Sequence, residues 1–417
     1  MQRFHQLPRG DAESFFEELD AHEHATLLLQ LPVKERRAFL RVLGPDDIAD
    51  TVQEADAEDR EALLGLLEDP ARAEVVALMR YAEDHAGGLM NPRFSSIRAD
   101  MEIDEALAYL RRRARANEAM DPTYYSYVLD SAGRLLGVIS LRGLFAAKPG
   151  TRVHEVMHRD VVTVPEDMDQ EIVAKLFEKH DLLALPVVDG QGRMKGLVAV
   201  NDIVDVLEEE ATEDIHKMGG LSEALDTPYL DTPIGEMVRK RALWLSVLLI
   251  GEMLTATALS YFQAEIDKAT VLALFMPLII SSGGNSGSQA STLVVRAMAL
   301  GDVRMQDMAR VFRRELTSGL LLGGVLAVLG FVRIIVWQAV FGSYSGHAIG
   351  LAGTVGLSLL GVVMLGTIAG SMLPFALRRA GLDPASASAP FVATLVDVVG
   401  LILYFSVASV LLAELFR

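Results

Sequence analysis

The chain of 417 residues contains no cysteine. This absence excludes disulfide bridges and every metal site that is built on thiolate ligands. The first ten residues, MQRFHQLPRG, also lack the apolar core of a secretory signal peptide. We therefore expect the amino-terminal half to stay in the compartment where it is made, the cytoplasm.

Basic residues are scarce in the first 240 residues, where 27 Lys and Arg stand against 47 Asp and Glu. The rest of the chain carries 11 against 9, so the two parts are adapted to different surroundings. A nucleic-acid-binding region needs a basic surface to meet phosphates, and the front part has none. Its acidic surface suits cations, or it serves solubility alone.

Charge becomes rare after residue 240, and long apolar runs replace it. We count five runs long enough to cross a bilayer as helices, near 241–263, 270–300, 316–341, 346–377 and 388–415. Gly, Ser or Pro interrupts the second, fourth and fifth. Basic residues cluster before the first run, between the second and third, and between the fourth and fifth. The positive-inside rule then predicts a cytoplasmic amino terminus and an external carboxyl terminus.

The front part contains two kinds of pattern. Residues up to about 85 show leucines at helical spacing, which indicates a small helical domain. Further on, DSAGRLLGVISLRGLF and DGQGRMKGLVAVNDIV share a strand, a glycine turn, a second strand and a helix start, about 60 residues apart. These tandem units resemble a pair of cystathionine-β-synthase (CBS) domains.

Two acidic residues lie deep within apolar runs. Asp397 is flanked by apolar residues in PFVATLVDVVG, and its run contains no basic residue that could neutralise it. Charge at that depth costs several kcal/mol unless it is paired or hydrated, so we interpret Asp397 as part of an ion path. The alternative is a protonated carboxyl that packs between helices. Glu252 is the other deep acid, and either interpretation fits it.

The segment SSGGNSGSQAST, residues 281–292, interrupts the second run. We interpret it as a broken helix that lines a cavity, with free carbonyls and the side chains of Asn285 and Gln289 as oxygen donors. The alternative is close helix packing, because small residues let transmembrane backbones approach one another.

Two further motifs have competing explanations. The run 201–214 repeats carboxylates at helical spacing, and their repulsion is relieved either by divalent cations or by water.

His154 and His158 spell the H-E-x-x-H signature of zinc proteases. RDVVTVP follows at once and predicts a strand, whereas a zinc hydrolase needs a long helix there, so we expect an accidental match.

Four segments carry a wider resemblance: AEDHAGGLMNP, LEEEATEDIHKMGG, SSGGNSGSQAST and GLDPASASAPFVATLVDVVG. Through them the chain resembles the MgtE-type magnesium channels over nearly its whole length. The resemblance implies a multidomain fold and a transporter rather than an enzyme. Its parts are an α-helical amino-terminal domain (1–88), an α/β tandem CBS pair (89–152 and 153–212), a plug helix (213–238) and a five-helix α transmembrane domain (239–417).

The resemblance also implies a homodimer in the bacterial inner membrane, with a magnesium pore between its two transmembrane halves. Asp397 of each subunit would face the pore, with Asn285 nearby and the carbonyl of Ala393 one helical turn before. Magnesium would also bind in the cytosol and close the pore, with Asp383 contacting the plug region. The implied regulatory ligands are Asp169, Glu171, Asp181, Asp202, Asp205, Glu210, Glu213 and Asp214, with Asp46 and Asp50 as weaker candidates.

Several alternatives stay open. The pore could pass other divalent cations such as Co²⁺ or Mn²⁺, or the protein could be a secondary transporter coupled to another ion, which would need an inverted repeat. A membrane-tethered nucleotide sensor would need complete adenosine motifs. Ser140 lacks an accompanying Asp and Asp202 lacks an accompanying Ser, so ATP binding at the CBS pair has weak support.

Overall fold

A computed structural model describes residues 4, 7–115, 125–223, 225, 229–230, 232–263, 266, 270–342, 344 and 348–412. The chain forms two compact units, Met1–Glu210 and Ala211–Arg417. The first contains the acidic half of the sequence and the second contains all of the long apolar runs.

The first unit begins with short amphipathic helices. Their apolar faces meet in a core that includes Phe16, Leu28 and Val52, all fully buried. Asp20 caps the amino-terminal end of the helix that starts at Ala21, because its side chain accepts a hydrogen bond of 2.7 Å from the backbone N–H of Glu23. The helices are α1 (Arg9–Glu17), α2 (Ala21–Gln30), α3 (Val33–Leu40), α4 (Pro45–Glu54), α5 (Ala57–Leu64) and α6 (Asp69–Leu78).

Two α/β repeats follow, and their sheets have the same topology. In each three-stranded sheet the first pair of strands is parallel and the second pair is antiparallel. The first repeat contains α7 (Ala86–Leu89), β1 (Ser96–Arg98), α8 (Ile103–Arg115), β2 (Tyr125–Leu129), β3 (Leu135–Ser140) and α9 (Leu141–Ala146). The second contains α10 (Val153–Val156), β4 (Val164–Pro165), α11 (Gln170–His180), β5 (Ala184–Val188), β6 (Met194–Ala199) and α12 (Val200–Met218).

The tandem pair predicted from the sequence is confirmed. The hairpin turns of the two repeats are joined by backbone hydrogen bonds, from Leu135 N–H to the Gly192 carbonyl and from Met194 N–H to the Gly133 carbonyl. Gly133 and Gly192 occupy equivalent places with φ of 79° and 75°, a conformation that a side chain would strain.

The H-E-x-x-H match lacks the helix that zinc binding would require. Helix α10 has only four residues, and His158 lies beyond it in a backbone bridge with Val138. The ring nitrogen Nδ1 of His154 lies 3.1 Å from the carbonyl oxygen of Ala99. The two imidazoles therefore do not lie on one face of a helix. This agrees with the expectation that the H-E-x-x-H match is accidental.

Among its described residues, the second unit contains five helices that are long and apolar enough to cross a membrane, which confirms the predicted number of spans. Short 3₁₀ turns at Thr270–Phe275 and Met305–Asp307 precede the second and third. The predicted external carboxyl terminus depends on residues 413–417, which lie outside the described residues. The helices are α13 (Ile234–Tyr261), α14 (Met276–Ala299), α15 (Met308–Phe341), α16 (Ala348–Arg379) and α17 (Ala389–Leu411).

The predicted break in the second span is wrong, because α14 runs through residues 281–292 without interruption. Its glycines serve close packing instead. Gly283 and Gly287 meet Gly366 and Gly370 of α16, and a Cβ on Gly287 would lie 2.9 Å from the carbonyl oxygen of Gly366. The alternative of tight packing by small residues therefore explains the glycines of this segment.

The predicted plug segment, 213–238, takes in the end of α12 at Met218 and the start of α13 at Ile234. Between them Gly220 adopts a φ of 85°. The described residues between the two helices, 219–223, 225, 229–230 and 232–233, are not helical, so the prediction of one plug helix over 213–238 is wrong for them. Residues 224, 226–228 and 231 lie outside the described residues.

Candidate ion pathway

The start of α17 is held against α14 by small residues and serine hydroxyls. Ser288 and Ser291 of α14 donate hydrogen bonds to the carbonyls of Ala389 (3.1 Å) and Ala387 (2.7 Å). One turn further along, a Cβ on Gly284 would lie 3.5 Å from Ala393. Asn285, the next residue, is exposed, so of the residues predicted for the pore this helix contact includes Ala393.

A different side of α14 is polar and exposed. Ser281, Asn285, Gln289 and Thr292 recur three or four residues apart, and all four side chains are exposed in the single chain. We call these four residues the polar face. Its amide and hydroxyl groups can hydrogen-bond to water or to a hydrated ion, whereas lipid offers them no partner.

Asp397 lies one turn beyond Ala393 on α17, and its side chain is partly buried. The carboxyl of Glu252 on α13 is close enough to interact with it electrostatically. Helix α13 comes close enough for this contact beside a glycine, since a Cβ on Gly251 would lie 2.9 Å from Cγ2 of Thr394.

The pairing of Asp397 with Glu252 limits the charge that this part of the membrane holds. Among the described residues, neither Lys nor Arg forms an ion pair with Asp397. Two neighbouring carboxylates repel each other when both are ionised, and a cation between them would relieve that repulsion. The sequence left the role of Glu252 open, and the structure makes it a neighbour of Asp397.

Near the start of α17, a lysine links two of the predicted magnesium ligands. The Nζ atom of Lys217 lies 2.6 Å from Oε1 of Glu213 and 2.7 Å from Oδ2 of Asp383. Burial lowers the pKa of Lys217, but its hydrogen bonds with Asp383 and Glu213 outweigh this effect and raise the pKa above its ordinary value. Lys217 is therefore a cation bound where the sequence predicted Mg²⁺.

The same region ties the end of α12 to the start of α17. Asp383 accepts a hydrogen bond of 2.8 Å from the backbone N–H of Ala385, in the turn before α17. The indole N–H of Trp244 donates to the hydroxyl of Ser388, which caps α17. Gly220 lies against the Trp244 ring, because a Cβ there would come within 2.9 Å of the indole.

Sequence reasoning missed Lys217, Trp244 and Ser388. A serine two residues before Pro390 is a typical helix-start signal, so Ser388 could have been found as a cap. Asp383 lies 166 residues from Lys217 along the chain and Ser388 lies 144 residues from Trp244, so no local pattern could reveal these two contacts.

In the first unit, the acidic residues with the largest pKa shifts lie on α4. Burial raises the pKa of Asp46 to about 8, and the charges of Asp47 and Asp202 add to the shift. Burial likewise raises the pKa of Asp50 to about 8, with added repulsion from Asp46 and more distant acids including Glu209. Both of these weaker sequence candidates are therefore buried carboxyls with further acids nearby.

The start of α12 supplies the facing carboxylates. Burial, followed by repulsion from neighbouring acids, raises the pKa of Asp205 and of Glu209. Asp202 accepts a hydrogen bond of 3.1 Å from the backbone N–H of Ala199, and Glu210 accepts one of 2.7 Å from the side chain of Gln170. Glu209 belongs to this group, although the sequence analysis did not single it out.

The other predicted ligands are spread over the first unit and the end of α12. Asp169 caps α11, Glu171 pairs with Lys175 at 2.5 Å, and Asp181 follows α11 with a φ of 49°. Asp214 lies on α12. Within the described ranges, no three His, Asp or Glu side chains converge as a metal-binding group.

The residues considered for adenosine binding are engaged in local structure. The hydroxyl of Ser140 accepts a hydrogen bond of 3.0 Å from the backbone N–H of Gly143 and so begins α9. In the second repeat Asp202 corresponds to Gly143, and its side chain accepts a hydrogen bond from the backbone N–H of Ala199, the counterpart of Ser140, at the start of α12. These contacts explain both residues as helix caps.

Comparison with known proteins bears on the whole arrangement. A family profile described as "MgtE intracellular N domain" matches residues 1–84, "CBS domain" matches 86–150 and 153–209, and "Divalent cation transporter" matches 276–407. The magnesium transporter MgtE of Thermus thermophilus is 44% identical over 409 residues, which cover 97% of this chain and 88% of the relative. The chain belongs to the MgtE family.

The chain is also similar to a second curated relative and to a solved structure. The magnesium transporter MgtE of Bacillus subtilis is 29% identical, over 97% of this chain and 95% of the relative. A crystal structure of the cytosolic domain of the Mg²⁺ channel MgtE in complex with ATP is 45% identical, with a TM-score of 0.45, and covers 48% of this chain and 81% of the other. The MgtE assignment makes this protein a member of a family of transporters rather than enzymes.

Proposed function

We propose that this MgtE protein is a magnesium channel of the bacterial inner membrane, driven by the membrane potential, with Asp397 as the carboxylate of its ion site. The single observation that carries the proposal is the position of Asp397 within a membrane helix, without a basic partner among the described residues. A carboxylate there is costly unless a cation or proton compensates it. The name of the Thermus thermophilus relative favours magnesium as that cation.

The chemistry around Asp397 suits a hydrated ion. Magnesium gives up its octahedral water shell reluctantly, and its protein sites usually leave several waters in place. Asn285 and Gln289, together with the carbonyl of Ala393, offer uncharged oxygens that can bond to such waters. Asp397 then supplies the negative charge that attracts a divalent cation to this site.

A second copy of the chain would complete the pore. The polar face of α14 is exposed in one chain, and lipid cannot satisfy amides and hydroxyls there. In a two-fold symmetric dimer the same surface of each subunit meets its counterpart. Such an arrangement would enclose the polar faces around a water-filled path and bring one Asp397 from each subunit toward it.

The cytosolic acids would close this pore when magnesium is plentiful. Asp46, Asp50, Asp202 and Glu209 repel one another, and a divalent ion between α4 and α12 would remove that repulsion. Ions at Asp169, Glu171, Asp181, Asp205, Glu210 and Asp214 would act in the same sense.

Helix α12 is suited to carry the signal, because it extends from the acidic group to the turn before α17. At that end Lys217 pairs with Glu213 and Asp383. A magnesium ion bound there would have to displace the ammonium group from the two carboxylates. The cytoplasmic position of the acidic half, and thus of the amino terminus, follows from the basic residues that flank the spans.

Growth rescue of a bacterium that lacks its own magnesium uptake tests the function and the site together. We expect rescue by the wild type and none by Asp397→Asn, which keeps the shape and removes the charge. Glu315→Gln, which removes a partly buried acid from a different membrane helix, is the matched control and should rescue. Equal rescue by Asp397→Asn and wild type, at equal amounts in the membrane, would refute the role of Asp397.

The same cells separate the alternative functions. A broader divalent-cation channel would make the wild type sensitive to Co²⁺ and Mn²⁺ at concentrations that leave Asp397→Asn cells unaffected. A secondary transporter would lose uptake when the Na⁺ or H⁺ gradient is abolished at constant membrane potential, whereas a channel would not.

A further inference from the structure

A groove on the membrane unit combines an apolar floor with a single cation. Its cavity volume is about 490 Å³, and it lies between the start of α14 and the carboxyl-terminal half of α15. Most of its lining is leucine, and several of these side chains are exposed, Leu274 by 71% and Leu329 by 59%. The residues that define the groove are Leu274, Leu278, Leu326, Leu329, Arg333 and Leu359.

Arg333 lies at the level of a bilayer surface. It follows Arg314 by 19 positions on the continuous helix α15, a rise of roughly 28 Å at about 1.5 Å per residue. The hydrocarbon core of a bilayer is about 30 Å thick, so the two arginines fit its opposite boundaries. Trp337 lies one turn beyond Arg333, and tryptophan is enriched at this level.

The guanidinium of Arg333 is positioned but lacks an acidic partner. It stacks on the ring of Trp337, with 3.8 Å between its central carbon and the ring centroid. Within the described part of the chain, no carboxylate forms an ion pair with it. Stacking uses the face of the guanidinium and leaves the N–H groups at its edge available, and these match a phosphate well.

We propose that this groove binds one phospholipid with an anionic headgroup. An acyl chain lies along the leucines, and the headgroup phosphate accepts hydrogen bonds from Arg333 at the bilayer surface. The charge of Arg333 decides for an anionic lipid over a zwitterionic one. A second copy of the chain is the less suitable occupant, because the lining is mostly apolar and the hydroxyl of Ser282 in it already donates to the carbonyl of Leu278.

Native mass spectrometry of the full chain in detergent tests the headgroup contact. Phosphatidylglycerol and phosphatidylcholine with identical acyl chains are added separately at equal concentration. We expect the wild type to prefer phosphatidylglycerol about fivefold, corresponding to about 1 kcal/mol for one arginine at a membrane surface. Arg333→Gln should lose this preference, and Arg333→Lys should retain part of it. Arg313→Gln, at the other end of α15, is the matched control and should keep it.

A second pair of variants tests the acyl contact. Leu278→Trp fills the groove and should weaken the binding of both lipids alike, whereas Leu321→Trp, exposed elsewhere on α15, should not. Glycerol phosphate without acyl chains should fail to compete, which separates a lipid site from a site for free phosphate. Equal binding of the two lipids by wild type, or an unchanged preference in Arg333→Gln, would overturn the proposal. Occupation of the groove by a second protein copy, seen as a dimer that takes up neither lipid, would also overturn it.

Discussion

Replacing Asp50 by asparagine should strengthen the contact between α4 and the start of α12 when magnesium is absent. Both elements contribute to one apolar cluster, with Ile48 and Val52 from α4 and Ile203 and Val206 from α12. Asp50 lies at this contact, and burial together with the surrounding carboxylates raises its pKa from 3.8 to about 8. The neutral amide keeps the shape of the side chain and removes the charge that the contact disfavours.

The shift sets both the size and the pH range of the effect. A raised pKa in the folded state means that the contribution of Asp50 is complete below its unfolded value of 3.8 and is lost as pH rises through about 8. Since one pKa unit is worth about 1.4 kcal/mol, the cost of the shift at pH 7 is roughly 4 kcal/mol. Magnesium bound to the ionised carboxylate would offset this cost, and its effect should therefore grow with pH.

Hydrogen exchange measured by mass spectrometry is the suitable assay, because both tryptophans, Trp244 and Trp337, lie in the membrane unit and do not report on α4. Protection factors for peptides from residues 45–54 correct for the intrinsic pH dependence of exchange. Without magnesium at pH 8, we expect Asp50→Asn to raise protection at least tenfold, equivalent to about 1.4 kcal/mol. Magnesium should raise protection in the wild type at pH 8, and only slightly at pH 5.

Two controls make the result specific. Asp69→Asn removes an exposed carboxylate at the start of α6 and should change little. Potassium chloride at matched ionic strength separates ion binding from general screening. Unchanged protection in Asp50→Asn, or an equal effect of magnesium at pH 5 and pH 8, would refute the reasoning.

Three further outcomes are expected. Gly287→Ala adds a Cβ 2.9 Å from the carbonyl oxygen of Gly366 and should destabilise the membrane unit by about 1–3 kcal/mol. Gly353→Ala is the control, because its Cβ meets no atom within 4 Å, and it should leave the stability unchanged. Tryptophan fluorescence during heating measures both melting temperatures, and equal melting temperatures would contradict the packing argument. Lys217→Met leaves the carboxylates of Glu213 and Asp383 available to magnesium, so internal magnesium should inhibit flux at a severalfold lower concentration than in the wild type. An unchanged or higher inhibitory concentration would argue against competition between Lys217 and magnesium. Glu252→Gln should slow liposome flux about tenfold, because it removes one of two neighbouring carboxylates that attract the cation, and flux at the wild-type rate would exclude a role in permeation.

The sequence predicted the elements that local patterns determine. Five apolar runs of sufficient length led to the five membrane helices, because the thickness of the bilayer dictates their length. Two copies of one strand and turn pattern led to the repeated sheet. The error at residues 281–292 has a physical reason: glycines suit a broken helix and a close helix contact equally well. The choice depended on Gly366 and Gly370, about 80 residues further along.

The candidate site was accessible from sequence only in part. Asp397 stood out because a lone carboxylate in an apolar run is costly wherever the helix lies. Its contact with Glu252 depends on how α13 approaches α17, which no local pattern encodes. Asp50 looked like an ordinary helical acid until α12 supplied the burial and the neighbouring charges that perturb it.

Magnesium flux into liposomes tests the central claim most directly. Purified protein is reconstituted with an indicator for Mg²⁺ inside, and a potassium gradient with valinomycin sets an inside-negative potential. We predict uptake by the wild type that increases with the potential, and uptake at the level of empty liposomes for Asp397→Asn that is folded and reconstituted equally well. Uptake by Asp397→Asn at the wild-type rate would contradict the assignment of Asp397 as the ion site of the pore.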